Sequence, residues 1–153
     1  MEKLQKIARL ILVVEDEVLI RICTVLDLQE AGYPVVDAAD AKEALLVFGE
    51  HPEITTVFTD INMPGAFDGL ALVQMIFEQR PSVQIIVTSG RAEPRQNEMP
   101  AGARFLAKPY SCGALLALIG DGRSAEPPSL LAIDGGAPVA FSARADEIQP
   151  LVA

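Results

Sequence analysis

The sequence predicts an open α/β sheet of five parallel strands with helices on both faces. Three observations carry this. Short, continuously apolar runs, as expected for strands covered on both sides, recur along the first 120 residues. Helical patterns separate them, which implies right-handed βαβ units. The chain has 153 residues, enough for one sizeable core and too few for a second full domain. Residues 1–120 are therefore expected to form the domain, and 121–153 a C-terminal tail.

Ala8 to Val14 reads as the first strand, ending at Glu15 and Asp16. A helix from Glu17 to about Glu30 follows, expected to turn Leu19, Ile22, Cys23 and Leu26 inward, with Gly32 as its stop. Pro34 to Ala38 is a short second strand. Asp40 caps a helix whose Ala41, Ala44, Leu45 and Phe48 face the core, and Gly49 and Pro52 end it. Ile54 to Thr59 is the third strand and delivers Asp60 at its end. After a turn-rich loop, Gly69 to Gln79 forms a helix carrying Leu70, Val73, Ile76 and Phe77, with Asp68 as its N-cap. Beyond Pro81, Val83 to Val87 is the fourth strand, closed by Thr88. Pro94 and Pro100 limit the next segment to one or two helical turns. Ala103 to Ala107 is the fifth strand, followed by Lys108-Pro109. A short helix from Ser111 to Ile119 buries Cys112, Leu115, Leu116 and Ile119 and stops at Gly120. The predicted order is 2-1-3-4-5, the flavodoxin-like doubly wound (βα)5 arrangement.

From Asp121 onward Gly, Pro, Ala and Ser dominate, with apolar clusters at Leu130-Leu131 and Val139-Ala140-Phe141. A flexible tail is one reading; cover for apolar surface, or docking on a partner chain, is the other. The net charge of −9 and pI near 4.5 disfavour nonspecific binding to nucleic acid or an anionic membrane. No apolar run is long enough to span a bilayer, and Met1-Glu2-Lys3 does not begin a signal peptide. A cytoplasmic location is expected. Cys23 and Cys112 are expected as buried free thiols in a reducing compartment, and His51 as a surface residue.

In such a sheet the carboxyl ends of the strands share one rim, where ligands bind. Glu15, Asp16, Asp60, Thr88 and Lys108 should therefore converge in one pocket. Carboxylates about 4 Å apart repel by roughly 4 kcal/mol per pair at an effective dielectric of about 20. Such a cluster requires a cation or a proton. Mg²⁺ fits, because it takes oxygen ligands and is commonly held by one or two carboxylates with phosphate oxygens. The absence of Cys and His from the set argues against zinc. A carboxylate nucleophile can become an aspartyl-phosphate, with Lys108 as a point charge and Thr88 as a hydroxyl donor.

Four pieces carry a resemblance: Val14-Glu15-Asp16; Thr59-Asp60-Ile61-Asn62-Met63-Pro64-Gly65 with Asp68-Gly69-Leu70; Val87-Thr88-Ser89-Gly90; and Phe105-Leu106-Ala107-Lys108-Pro109-Tyr110. In this order, and at these strand ends, the chain over residues 7–120 resembles the receiver domain of a two-component response regulator, of the stand-alone CheY-like kind. The resemblance implies that Asp60 is the phosphoacceptor and that Asp16, Glu15, Asp60 and the Asn62 backbone carbonyl bind Mg²⁺. It implies further that Thr88 and Lys108 contact the phosphoryl group and that Lys108-Pro109 is a cis peptide. Phe105 matches the family's aromatic switch. A histidine kinase or phosphotransfer protein would be the donor, and another protein the downstream target. The chain would not be an enzyme beyond its own phosphorylation and dephosphorylation. The loop Pro64 to Asp68 is one residue longer than the family's common pattern. Two competing functions stand beside this one: a binding module independent of phosphorylation, and a Mg²⁺-dependent phosphohydrolase. The second normally needs another acid near the nucleophile, where this chain has Asn62.

Overall fold

Strands joined by helical crossovers are forced parallel, and a computed structural model, describing residues 9–120, has this arrangement. Strands β1 (Leu10–Val14), β2 (Val35–Ala38), β3 (Ile54–Asp60), β4 (Gln84–Ser89) and β5 (Arg104–Ala107) form one sheet in the order β2-β1-β3-β4-β5. Every neighbouring pair is parallel. Helices α1 (Val18–Glu30), α2 (Ala41–Glu50), α3 (Gly69–Gln79) and α4 (Cys112–Gly120) cover it. The predicted class and strand order are both found. β1 starts at Leu10, after Arg9; the expected start at Ala8 and the tail at 121–153 lie outside the described residues. No described helix is long and apolar enough to cross a membrane.

Alternation along the strands builds two apolar layers. One joins Leu12, Val14, Val57, Ile85 and Val87 to Ala44 and Phe48 of α2 and Leu72, Val73 and Ile76 of α3. The other joins Ile11, Val13, Phe58 and Ile86 to Leu28 of α1 and Leu115 and Ile119 of α4. Caps follow sequence chemistry. Asp40 Oδ1 accepts from the Glu43 amide at 2.8 Å, and Asp68 Oδ1 from the Ala71 amide at 3.0 Å. Between Pro94 and Pro100 only a 3-10 turn forms, at Gln96–Glu98.

The expected inward face of α1 is wrong. Leu19, Ile22 and Leu26 are 77%, 47% and 58% exposed, Val18 is 54% exposed, and Cys23 is exposed as well. Thr24 and Leu28 are the buried residues. The reason is that polar groups on the inner side find partners. Thr24 Oγ1 shares a hydrogen bond with the Tyr110 hydroxyl at 3.0 Å. Arg21 donates to the Glu15 carbonyl at 2.6 Å and to Asp37 at 3.1 Å. The expectation of two buried thiols fails with it: both cysteines are free, but Cys112 is only half-buried.

At the far end of the sheet from these strand ends, a polar clamp holds the close of α4. Gln84 donates to the Leu118 carbonyl at 2.9 Å and accepts from Thr56 Oγ1 at 2.9 Å. Arg9 donates to Gln84 at 3.2 Å and to the Ile119 carbonyl. Carbonyls that a helix end leaves unpaired are thus filled. The same guanidinium lies 6.0 Å from the centre of the Tyr33 ring, just past α1, so α1 and α4 end side by side.

Candidate functional site

Strand register assembles the site. Asp60 of β3 lies beside Thr88 of β4, and Ser89 beside Ala107 of β5. Backbone bonds hold the residues just beyond the ladders: Glu15 N to Ala38 O at 3.1 Å, Ile61 N to Thr88 O at 2.9 Å, and Lys108 N to Ser89 O at 2.9 Å. The Lys108-Pro109 peptide is cis, as the resemblance implied. Tyr110, edge-on to Phe58 with ring centroids 5.3 Å apart, ties the loop that follows to α1 through Thr24.

Three of the predicted groups, Lys108, Asp60 and Glu15, are joined directly, and Asp16 lies close beside them. Lys108 Nζ lies 2.9 Å from Asp60 Oδ2 and 3.0 Å from Glu15 Oε1. Glu15, Asp16 and Asp60 offer carboxylate oxygens all within 4.8 Å of one another. Glu15 and Asp60 are buried and Asp16 is half-buried. Backbone amides help hold them: Glu17 N donates to Glu15 Oε2 at 3.1 Å, and Asn62 N to Asp60 Oδ1 at 3.1 Å. The cluster is hard, oxygen-only and free of His and Cys, a donor set suited to Mg²⁺.

The electrostatics follow the geometry. Burial pushes the Glu15 carboxyl above its usual range, although the Glu17 amide and Lys108 pull the other way. Burial likewise works against the Lys108 ammonium, but its hydrogen bonds to Asp60 and Glu15 outweigh that and leave its pKa raised. Lys108 therefore stays charged beside the acids. Burial also raises Tyr110.

Thr88 is 1% exposed, and its Oγ1 is the one buried side-chain polar atom among the described residues without a hydrogen-bond partner. Such an atom costs about 1–3 kcal/mol while unpaired; a ligand oxygen is the kind of group that fills it. Phe105 is half-buried and packs on the layer containing Val87.

Sequence reasoning missed three contributors. Ser89 Oγ donates to Asn62 Oδ1 at 2.7 Å and accepts from the Arg91 amide at 3.0 Å, fixing the side chain two residues past Asp60. Gly69 is the second: a Cβ there would sit 2.1 Å from the Asp60 carbonyl oxygen. Thr24 is the third. A small residue at a strand end (Ser89) and at a helix start (Gly69) was the available signal for the first two; for Thr24 there was none.

Comparison with known proteins agrees with this geometry. The family model for the response regulator receiver domain matches residues 11–120. The sensor kinase CckA of Brucella abortus is 38% identical over 105 residues, 66% of this chain and 11% of that protein. The transcriptional regulatory protein PhoP of Escherichia coli is 35% identical over 111 residues, 70% of this chain and 48% of that protein. This chain thus spans half or less of the length of both relatives. The crystal structure of the response regulator TrrA from Thermotoga maritima, in complex with Mg(2+)-BeF, superposes with a TM-score of 0.66 at 27% identity, covering 74% of this chain and 98% of that one.

Proposed function

This chain belongs to the response regulator receiver domain family, and from that premise we propose that Asp60 accepts a phosphoryl group from a phosphohistidine donor. A carboxylate oxygen of Asp60 forms the new P–O bond as the donor's P–N bond breaks. The imidazole leaves with the bonding electron pair. Lys108, 2.9 Å from Asp60, supplies a fixed positive charge where negative charge spreads over the transferring group. The unpaired Thr88 hydroxyl donates to one of its oxygens. Glu15, Asp16, Asp60 and the Asn62 backbone carbonyl would hold Mg²⁺, which neutralises charge on the cluster when bound.

The observation that carries this reading is one ammonium bridging Asp60 and Glu15 beside a three-carboxylate cluster. We read Phe105 as the residue through which the Thr88 contact reaches the segment from Arg91 to Tyr110 and changes its protein contacts. The partners in this reading are a histidine kinase or phosphotransfer protein and a downstream protein. The free thiols suit the cytoplasm. The chain's only chemistry would be on itself.

Acetyl phosphate with Mg²⁺ tests the reading. The wild-type chain should gain one phosphoryl group by intact mass, and Asp60→Asn none. A beryllofluoride salt should shift the NMR signals of Thr88, Phe105 and residues 91–110. A folded wild-type chain that gains no phosphoryl group, or gains it equally with Asn at position 60, removes the assignment.

A further inference from the structure

We propose that Ser89 is a positioning residue that slows loss of the phosphoryl group, by turning the acceptor oxygen of the Asn62 side chain away from the pocket mouth. This deepens the phosphoacceptor reading of Asp60 and rests on it. Asn62 is exposed two residues past Asp60, and its backbone amide donates to Asp60 Oδ1 at 3.1 Å. Its side chain therefore stands at the open edge of the pocket. Ser89 follows Thr88 and is only 2% exposed. Its Oγ donates to Asn62 Oδ1 at 2.7 Å and accepts from the Arg91 amide at 3.0 Å. Its carbonyl accepts from the Lys108 amide at 2.9 Å. One buried residue thus joins the loops that follow β3, β4 and β5.

This network fixes which way the carboxamide faces. Were the group turned over, its nitrogen would meet Ser89 Oγ and the hydroxyl hydrogen would lose its acceptor, since the Arg91 amide only donates. The Asn62 oxygen therefore points inward to Ser89, and its NH2, a donor only, is left for the mouth. Hydrolysis of an aspartyl phosphate needs a water in line with the bond to Asp60. The water oxygen bonds phosphorus as the bond to the Asp60 oxygen breaks. The electron pair returns to the carboxylate, and both water hydrogens end on the released phosphate. Such a water aims a lone pair at phosphorus and its hydrogens at acceptors, and a side-chain carboxamide can orient it. With its oxygen held by Ser89, Asn62 withholds that acceptor.

The full chain, loaded with acetyl phosphate and Mg²⁺ and then freed of acetyl phosphate, is followed by intact mass. Ser89→Ala should lose its phosphoryl group roughly 3- to 10-fold faster than wild type, about the weight of one neutral hydrogen bond. In an Asn62→Ala background the same change at Ser89 should alter nothing, because there is no oxygen to release. Asn62→Asp, which gives one oxygen to Ser89 and turns the other outward, should also decay faster than wild type. In the unphosphorylated, metal-free chain, Ser89→Ala should shift and narrow the NMR signals of the Asn62 side-chain NH2. The proposal is overturned, with Asp60 still the phosphoacceptor, by equal decay of Ser89→Ala and wild type, by equal acceleration in both backgrounds, or by unmoved Asn62 signals. An Asn62→Asp chain no faster than wild type overturns it as well. A wild-type chain that takes up no phosphoryl group overturns the Asp60 reading itself.

Discussion

Gly69→Ala is the sharpest probe of how the fold holds Asp60. Gly69 begins α3 and donates its amide to the Ile61 carbonyl at 2.9 Å. A Cβ built there meets the Asp60 carbonyl oxygen at 2.1 Å, the Ile61 Cα at 2.8 Å and the Asp60 carbonyl carbon at 2.9 Å. Ordinary contact begins near 3.4 Å, so backbone must part by about 1.3 Å, and no rotamer can relieve it. Alanine itself favours helix over glycine by up to about 1 kcal/mol, which leaves sterics as the sole source of loss. Overpacking of this kind costs about 1–3 kcal/mol. Displacing a reacting group by about 1 Å can cost on the order of 10²-fold in rate. Urea denaturation should therefore show a loss of about 2 kcal/mol, and phosphorylation by acetyl phosphate, followed by mass, should slow by roughly 10- to 100-fold. Gly49→Ala is the matched control: it lies in α2 with no atom within 4 Å of its Cβ, and should gain about 0.5–1 kcal/mol. If Gly69→Ala matches wild type in both stability and rate, the inferred buttress against Asp60 does not exist.

Other expectations follow from the same site. The Glu15 carboxyl is raised in the folded state, so its contribution to stability is present at acid pH and is lost as pH climbs through its folded value. Added Mg²⁺ should consequently raise the melting temperature more at pH 7.5 than at pH 5; an equal rise at both would sink that view of the cluster. Lys108→Ala removes the cation from between Asp60 and Glu15. Isothermal titration should then find Mg²⁺ bound several-fold more tightly, while beryllofluoride no longer shifts Phe105; weaker Mg²⁺ binding in the variant would contradict the charge argument. Tyr110→Phe breaks the bond to Thr24 and should cost about 1 kcal/mol. A double-mutant cycle with Thr24→Val that returns no coupling energy would show the bond to be energetically idle.

The pocket was legible because each of its groups stands just past an apolar run, and the end of a strand is a local property of sequence. Parallel pairing did the rest, bringing Asp60 beside Thr88 and the Lys108 ammonium to 2.9 Å from Asp60. The inner face of α1 was illegible for the opposite reason. Val18, Leu19, Ile20, Ile22, Val25, Leu26 and Leu28 put apolar groups on nearly every side, so periodicity had little to choose between. The choice fell to Thr24 and Arg21, whose partners Tyr110, Asp37 and the Glu15 carbonyl come from other elements. The Ser89–Asn62 bond, too, depends on a pairing of strand ends that neither segment reveals alone.

The lone hydroxyl at Thr88 gives the resting fold a built-in tilt. A single acceptor arriving there recovers hydrogen-bond energy on the order of 1–3 kcal/mol. On the proposed reading, that would be enough to re-weight a two-state equilibrium by roughly 5- to 150-fold before any downstream molecule is touched. On the proposed reading a latch of this size would be easily thrown and just as easily reset, so one oxygen atom arriving or leaving would carry the message.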